Sequence, residues 1–350
     1  MGTYSLDYGD KESGGKLTSF IDRDVNPNAN YLDKCGECTN MIVSFMHEVT
    51  PYSIASTIKG GSLGKGTAVK GKSDLDILFV VNDIKSIEDL MKKLKQIKHE
   101  LHNALCCGSF SSVNGPLSQE EKKRRRQLKK NKPFKVSNIR RTPFTVSFTM
   151  TLPNGTSMPV DLIIVPNLPK SGPHGKFSRE DLTNIYQQMK AHPEQRDYFA
   201  KCVSPLQVSF VKDVPEKVKR AIRLTKYWAK TNKHKLPSYA IELLAIKTYE
   251  DFNRPEPGGI TEKKIVNAIF TQLKDCKNIK IEWNTNYNLD DYERPDGPYI
   301  MDPANPYHNL FRPKTEKYWI NRNESESVIL SEPDISRIES DAAIALESMH

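Results

Sequence analysis

Residues 74–81, DLDILFVV, set two carboxylates two positions apart at the head of an apolar, β-rich run. Such a run reads as a strand buried on both faces, and the two-residue period of a strand turns both acids to one face. Ionised groups at the rim of a core are costly unless a cation or strong donors meet them. Asp74 and Asp76 therefore read as a prepared cation site. Asp161 repeats the pattern in PVDLIIV, a lone acid ahead of four apolar residues. Three carboxylates on adjacent strands can hold two divalent ions about 3.5 to 4 Å apart, the clamp for an in-line displacement at phosphorus. In the plainer reading Asp74 and Asp76 only end a strand and Asp161 caps a turn, which leaves the loop before them unexplained.

That loop, KGGSLGKG at 59–66, is not a P-loop. Gly64-Lys65 is followed by Gly66 where the pattern needs Ser or Thr, and Lys59 stands where its first glycine belongs. Glycines still permit positive φ and a close approach of backbone N–H groups to an anion. Gly60, Gly61 and Ser62 can therefore cradle a phosphate, with Lys65 as a point charge. Loop and carboxylates together make a site for nucleotidyl transfer.

A chain of 350 residues exceeds what one core commonly fills and favours two domains. Helical periodicity covers 16–48, broken near Pro27, and 87–105. FTVSFTMTL (144–152) and MPVDLIIVP (158–166) are strands joined as a hairpin through Pro153-Asn154-Gly155. Beyond Pro169 four segments read as helices, so a mixed α/β lobe (1–168) precedes a helical one (169–350). The net charge of +9 is concentrated in KKRRRQLKKNK (122–132), whose eight positive side chains, once removed, leave about +1. This run sits in an insertion near 111–135. It reads equally as a solvated or localisation tract and as a polyanion contact. Cys35-x-x-Cys38 lacks a second pair at zinc spacing and reads as structural, as do Cys106 and Cys107. No run approaches the roughly 18 apolar residues of a membrane span. The N-terminal residues show neither an apolar signal region nor, with Leu6 at the key position, a myristoylation motif. A cytoplasmic protein is expected, with a nuclear pool if 122–132 is a localisation tract.

Taken together, Gly-Ser, Asp-x-Asp on a strand and a distant third Asp resemble the polymerase β type nucleotidyltransferases. KGGSLGKGTAVKGKSDLDILFVV is more closely similar to the 2′-5′-oligoadenylate synthetases, as are AIRLTKYW (221–228), KLPSYAIELLAI (235–246) and GPYIMDPANPYHNL (297–310). The resemblance spans roughly residues 19–312, with the motifs in the family's order. It implies an α+β, bilobal enzyme with a mixed-sheet catalytic lobe and a mostly helical second lobe. It also implies transfer of AMP from ATP to the 2′-hydroxyl of an acceptor adenylate, with release of pyrophosphate. Asp74, Asp76 and Asp161 match the carboxylates for two Mg2+ ions, Mn2+ being the alternative, and Asp161 also matches the group that orients or deprotonates the attacking hydroxyl. Gly61, Ser62 and Lys65 match the donor loop, Arg223 and Lys226 the basic residues reaching the triphosphate, and Tyr239 an aromatic near the donor nucleoside. Ser238, assigned with Tyr239 to ATP, departs from the glutamine of vertebrate members. Gln207 matches a position near the acceptor.

The resemblance further implies activation by double-stranded RNA in innate antiviral sensing, with A-form duplex read by shape. Lys59, Lys212 and Lys217 match parts of the RNA face. Val208, where arginine is frequent, and Glu216 do not. No oligomer is implied. A second reading is a cyclic GMP-AMP synthase-like second-messenger synthase, although its His-Cys-Cys-Cys zinc cluster is missing, since only Cys202 and Cys276 follow Asp161. A third is a catalytically dead RNA-binding relative, against which the intact triad speaks.

Overall fold

In the computed structural model the described residues are 14–71, 73–107, 119–120, 122–123, 126, 132–252, 259–311, 315–321, 324–329 and 333–349. Most of the basic insertion, and the side chain of Cys107, lie outside them. Within the insertion Lys122, Lys123 and Arg126 are helical and exposed.

The helical N-terminal expectation resolves into α1 (Gly14–Phe20), a wide π turn at Ile21–Val25, and α2 (Ala29–Val49). The break falls just beyond Pro27, where the Asn28 side chain accepts from the Tyr31 N–H at 2.9 Å and caps α2. A five-stranded sheet follows in the order β1-β2-β5-β4-β3, built from Ile54–Lys59, Leu75–Val81, Ser157–Pro166, Val146–Thr151 and Lys135–Arg141 respectively. Within this sheet only the β2–β5 pair is parallel. The expected β4–β5 hairpin forms. Gly155, at φ +84°, closes its turn, and Asn154 Oδ1 accepts from the Thr156 N–H at 3.0 Å.

Leu75, Ile77, Phe79 and Val81 of β2 pack with Val160, Leu162 and Ile164 of β5 under α2 and the amphipathic α4 (Ile87–Cys107). The alternate residues Leu78, Val80, Ile163 and Val165 face the opposite layer, with residues of α5 (Arg179–Ala191) and α6 (Arg196–Cys202). Helices on both faces explain why the strands read as continuous apolar runs. The short helix α3 (Gly61–Lys65) lies between β1 and β2.

The largest core belongs to α8 (Glu216–Thr231), α9 (Ser238–Asp251), α10 (Glu262–Lys274) and α11 (Ile335–Met349), with α7 (Ser204–Lys212) at its edge. The sequence reading missed β1, β3, α6, α7 and α11. It also missed β6 to β8, at Lys280–Ile281, Tyr299–Asp302 and Asn305–Asn309, and the hairpin of β9 (Thr315–Asn321) and β10 (Glu324–Ile329). Cys35 and Cys38 are buried in α2 and Cys106 is half-buried in α4, its Sγ 3.6 Å from His102 Nε2, and none of the three is in a disulfide. Among the described residues no helix is long and apolar enough to cross a membrane.

Trp228 anchors this helical core, 1% exposed, edge-on to Phe270 at 5.0 Å and tilted over His234 at 4.6 Å. Trp228→Ala is expected to cost about 3 to 5 kcal/mol, read as a lower urea midpoint by circular dichroism.

Candidate active site

The parallel register of β2 and β5 sets Asp76 directly beside Asp161, and β4 adds Ser147 opposite Asp161. Asp74 precedes β2 by one residue and is exposed. Its neighbour Ser73 is fixed from two sides, its carbonyl accepting from the Tyr31 hydroxyl at 3.2 Å and its Oγ from the Val69 N–H at 3.1 Å. The three acids thus gather at one end of the sheet, where their charges work against one another. Burial, then Asp161 and Asp74, push the Asp76 carboxyl up to about 6, with Lys201 and Lys65 drawing it partly back. Asp74 is raised too, by burial and by Asp161, against the pull of Lys230.

The glycine loop is built against this pair. The Gly60 N–H donates to the Asp76 carbonyl at 2.7 Å, extending the β1–β2 ladder by one residue. Gly61 has φ +54°, and a Cβ there would stand 1.7 Å from Asp76 Oδ2. Only glycine lets the chain turn so close to the carboxylate. From there α3 runs for a single turn, Gly66 at φ +72° ends it, and the Ser62 carbonyl receives the Thr67 N–H at 2.8 Å.

Lys65 and Lys226, expected at the triphosphate, meet instead on one buried acid. Glu242 of α9, 2% exposed, receives Lys65 Nζ at 2.9 Å, the Lys226 ammonium, and Thr67 Oγ1 at 2.6 Å. Burial would raise this carboxyl, but the two lysines and their hydrogen bonds hold it below the usual range. Lys226 also donates to Thr67 Oγ1 at 3.0 Å. Arg223 reaches the Gly66 carbonyl at 2.7 Å and pairs with Glu216 at 2.7 Å. Glu216 therefore has a partner on its own helix.

The face of the Tyr239 ring lies 3.7 Å below Lys65 Nζ, a cation–π contact. Its hydroxyl donates to Asp302 Oδ1 at 3.2 Å, and Gln207 Nε2 donates to Asp302 Oδ2 at 2.6 Å. The residues expected at donor and acceptor thus share one carboxylate. Ser238 opens α9 and is exposed.

Of the expected RNA contacts, Lys59 and Lys212 are exposed, at the ends of β1 and α7. Lys217 is engaged within the fold, donating to the Ile260 carbonyl at 3.2 Å over the Tyr249 ring.

Among the described residues no three His, Cys, Asp or Glu side chains form a ready-made metal cage. The donor set on offer, Asp74, Asp76 and Asp161, is all carboxylate oxygen and crowded with negative charge. That chemistry fits a hard divalent cation.

A strand-paired carboxylate couple beside a glycine turn defines a nucleotidyltransferase. Residues 42–140 match the nucleotidyltransferase domain, and residues 179–343 match the model described as 2′-5′-oligoadenylate synthetase 1, domain 2, C-terminus. Most of the chain is thus similar to the 2′-5′-oligoadenylate synthetase family. It is 28% identical over 329 residues to 2′-5′-oligoadenylate synthase 1A of Rattus norvegicus, covering 84% of each chain. It is 24% identical over 327 residues to a Mus musculus relative named inactive 2′-5′ oligoadenylate synthetase 1C, again covering 84% of each. Among solved structures, E. coli MS115-1 CdnC with ATP shares the fold at TM-score 0.51 and 17% identity, over 93% of this chain and 88% of that one.

Glu242, Asp302, Lys201 and Lys230 were not singled out from sequence. Glu242 has a readable sign, a lone acid in the apolar run AIELLAI, whereas the two lysines carry no local signal that sets them apart.

Asp76 gains protons on folding, so without divalent ions its contribution to stability is present below pH about 3.8 and is lost as the pH rises through about 6. The loss amounts to roughly 3 kcal/mol. Asp76→Asn should flatten that slope and melt higher than wild type at pH 7 in chelator. Added Mg2+ should raise the melting temperature of wild type well above any effect on the variant. Calorimetric scans at pH 4.5 and 7, with and without Mg2+, check both.

Proposed function

We propose that this chain transfers AMP from ATP to the 2′-hydroxyl of an acceptor adenylate. The 2′-oxygen forms a bond to the α-phosphorus, the α–β bridge breaks, and pyrophosphate leaves. The observation that carries this reading is the pairing of Asp76 with Asp161 across β2 and β5, directly against the Gly60–Lys65 turn. One relative is named inactive, so overall similarity does not separate active from inactive members, and the weight falls on the three carboxylates.

Two Mg2+ ions held by Asp74, Asp76 and Asp161, with Mn2+ as an alternative, would supply electrophilic stabilisation of the phosphorus centre and the leaving group. The chain's own groups do the positioning on which phosphoryl transfer depends. Gly61 and Ser62 offer the turn that takes the donor phosphates, and Asp161 orients the acceptor hydroxyl and accepts its proton. Lys65 and Lys226 stand at the root of the turn with one shared counter-ion, Glu242, so the pair keeps a net positive charge toward a polyphosphate. Arg223 fixes the end of the turn through the Gly66 carbonyl. Tyr239 and Ser238 border the donor and Gln207 the acceptor.

Asp161→Ala or Asp76→Ala is expected to abolish conversion of radiolabelled ATP to oligonucleotide, a fall of about a hundredfold or more, with the circular dichroism spectrum unchanged. Turnover retained by either variant sinks the reading.

Double-stranded RNA is the proposed activator, in a cytoplasmic antiviral role, with Lys59 and Lys212 as exposed cations for its phosphates. The double charge reversal Lys59→Glu with Lys212→Glu should weaken duplex binding and flatten its salt dependence by about two counter-ions. Titrations at two or more salt concentrations read this directly, and an unchanged slope would remove both residues from the RNA face.

A further inference from the structure

Asp302 ends β7 at the turn into β8 and is fully buried, at 0% exposure. An ionised carboxylate only accepts hydrogen bonds, and here each oxygen serves a different part of the site. Oδ1 receives the Tyr239 hydroxyl at 3.2 Å and the Ala304 N–H at 2.9 Å. Oδ2 receives Gln207 Nε2 at 2.6 Å and stands 3.3 Å from His308 Nδ1. The backbone is tied down as well, because the Tyr287 hydroxyl donates to the Asp302 carbonyl at 2.9 Å. Tyr239 continues toward the phosphate turn through Lys65, whose ammonium rests on the ring. A connected path of contacts therefore runs from Gln207 on α7 through Asp302 to Tyr239 on α9, and on to Lys65 and Glu242.

We propose that Asp302 is a positioning residue that fixes the acceptor side of the site, at Gln207, in register with the donor side, at Tyr239. The proposal rests on the adenylyl-transfer reading above and adds to it a residue that touches neither substrate. The carboxylate is a single rigid plane, so a shift of Gln207 is carried to the tyrosine ring and the lysine above it. The Tyr239 hydroxyl stays protonated, since burial and then Asp302 itself hold its pKa well above the usual value, and it remains a donor throughout.

The chemistry of the two oxygens gives Asp302→Asn a directional effect. The Ala304 N–H can only donate, so the new amide keeps its oxygen on the Oδ1 side and turns its NH2 toward Gln207 and His308. The Gln207 side chain must then flip to present oxygen inward and NH2 outward to the acceptor. Asp302→Asn should therefore raise the KM for a 2′-5′-linked adenylate dinucleotide acceptor by about tenfold, with the KM for donor ATP changing less than about twofold. Gln207→Ala and Tyr239→Phe should be non-additive in the wild-type background, and should become additive when combined with Asp302→Asn.

The decisive experiment measures donor and acceptor KM and kcat for these single and combined variants, alongside their melting temperatures. An acceptor-selective rise in KM, with coupling that disappears in the Asp302→Asn background, supports the proposal. Equal losses of kcat with both substrates and a lower melting temperature, or full additivity of Gln207→Ala and Tyr239→Phe, overturn it while the wild-type activity stands. A wild-type chain that makes no product from ATP overturns the reading beneath it, and the proposal with it.

Discussion

Two carboxylates on neighbouring strands of a buried sheet repel each other, and the rest of this molecule is arranged around that tension. The parallel register of β2 and β5 makes Asp76 and Asp161 direct neighbours, and a slip of one residue would turn one of them to the opposite face. The register is held by apolar residues on both sides of each acid: Leu75, Ile77 and Phe79 to one layer, Leu78 and Val80 to the other. The sheet core thus maintains a pair that is unfavourable by itself, which is the signature of a site kept for chemistry. The Gly60–Gly61 turn adds to the pressure by closing down on Asp76 until only a hydrogen fits where a side chain would be.

Glu242 solves the corresponding problem for the cations. Two buried lysines reaching the same place would be as costly as two buried acids, and Glu242 between them leaves a cluster of net charge +1 that is hydrogen-bonded throughout. Because Lys65 comes from the turn after β1 while Lys226 and Glu242 come from α8 and α9, this cluster also pins the phosphate turn to the helical part of the chain. Arg223 makes the same connection through the Gly66 carbonyl. The turn is consequently set by contacts from both sides, the sheet acid beneath it and the helix charges behind it.

How much of this is legible in sequence depends on whether the signal is local. Asp74, Asp76 and Asp161 stand out because an acid is conspicuous in an apolar strand, and the β4–β5 hairpin announces itself through Asn154-Gly155. β1 (IASTIK) and β3 (KVSNIRR) are edge strands with many exposed residues, so they lack the apolar pattern that marks a strand. The short strands β6 to β8 gain their ladders from partners that no local window contains. The orientation of Lys65 was similarly hidden. Its neighbours in sequence suggest a phosphate contact, and its neighbours in space, Glu242 and Tyr239, come from more than 170 positions away. Asp302 lay in a segment that resembles the family, yet its role in joining Gln207 to Tyr239 emerges only once three distant elements are folded together.

The proposed product of this site is a 2′-linked adenylate. The most direct test uses purified protein with ATP, GTP and Mg2+, with and without double-stranded RNA, followed by digestion with a nuclease specific for 3′-5′ bonds and chromatography of the products. A ladder made from ATP alone, surviving the nuclease and appearing when RNA is added, is the expected result. Products that require GTP or are cut by the nuclease would contradict it and assign the same carboxylates to a different second messenger.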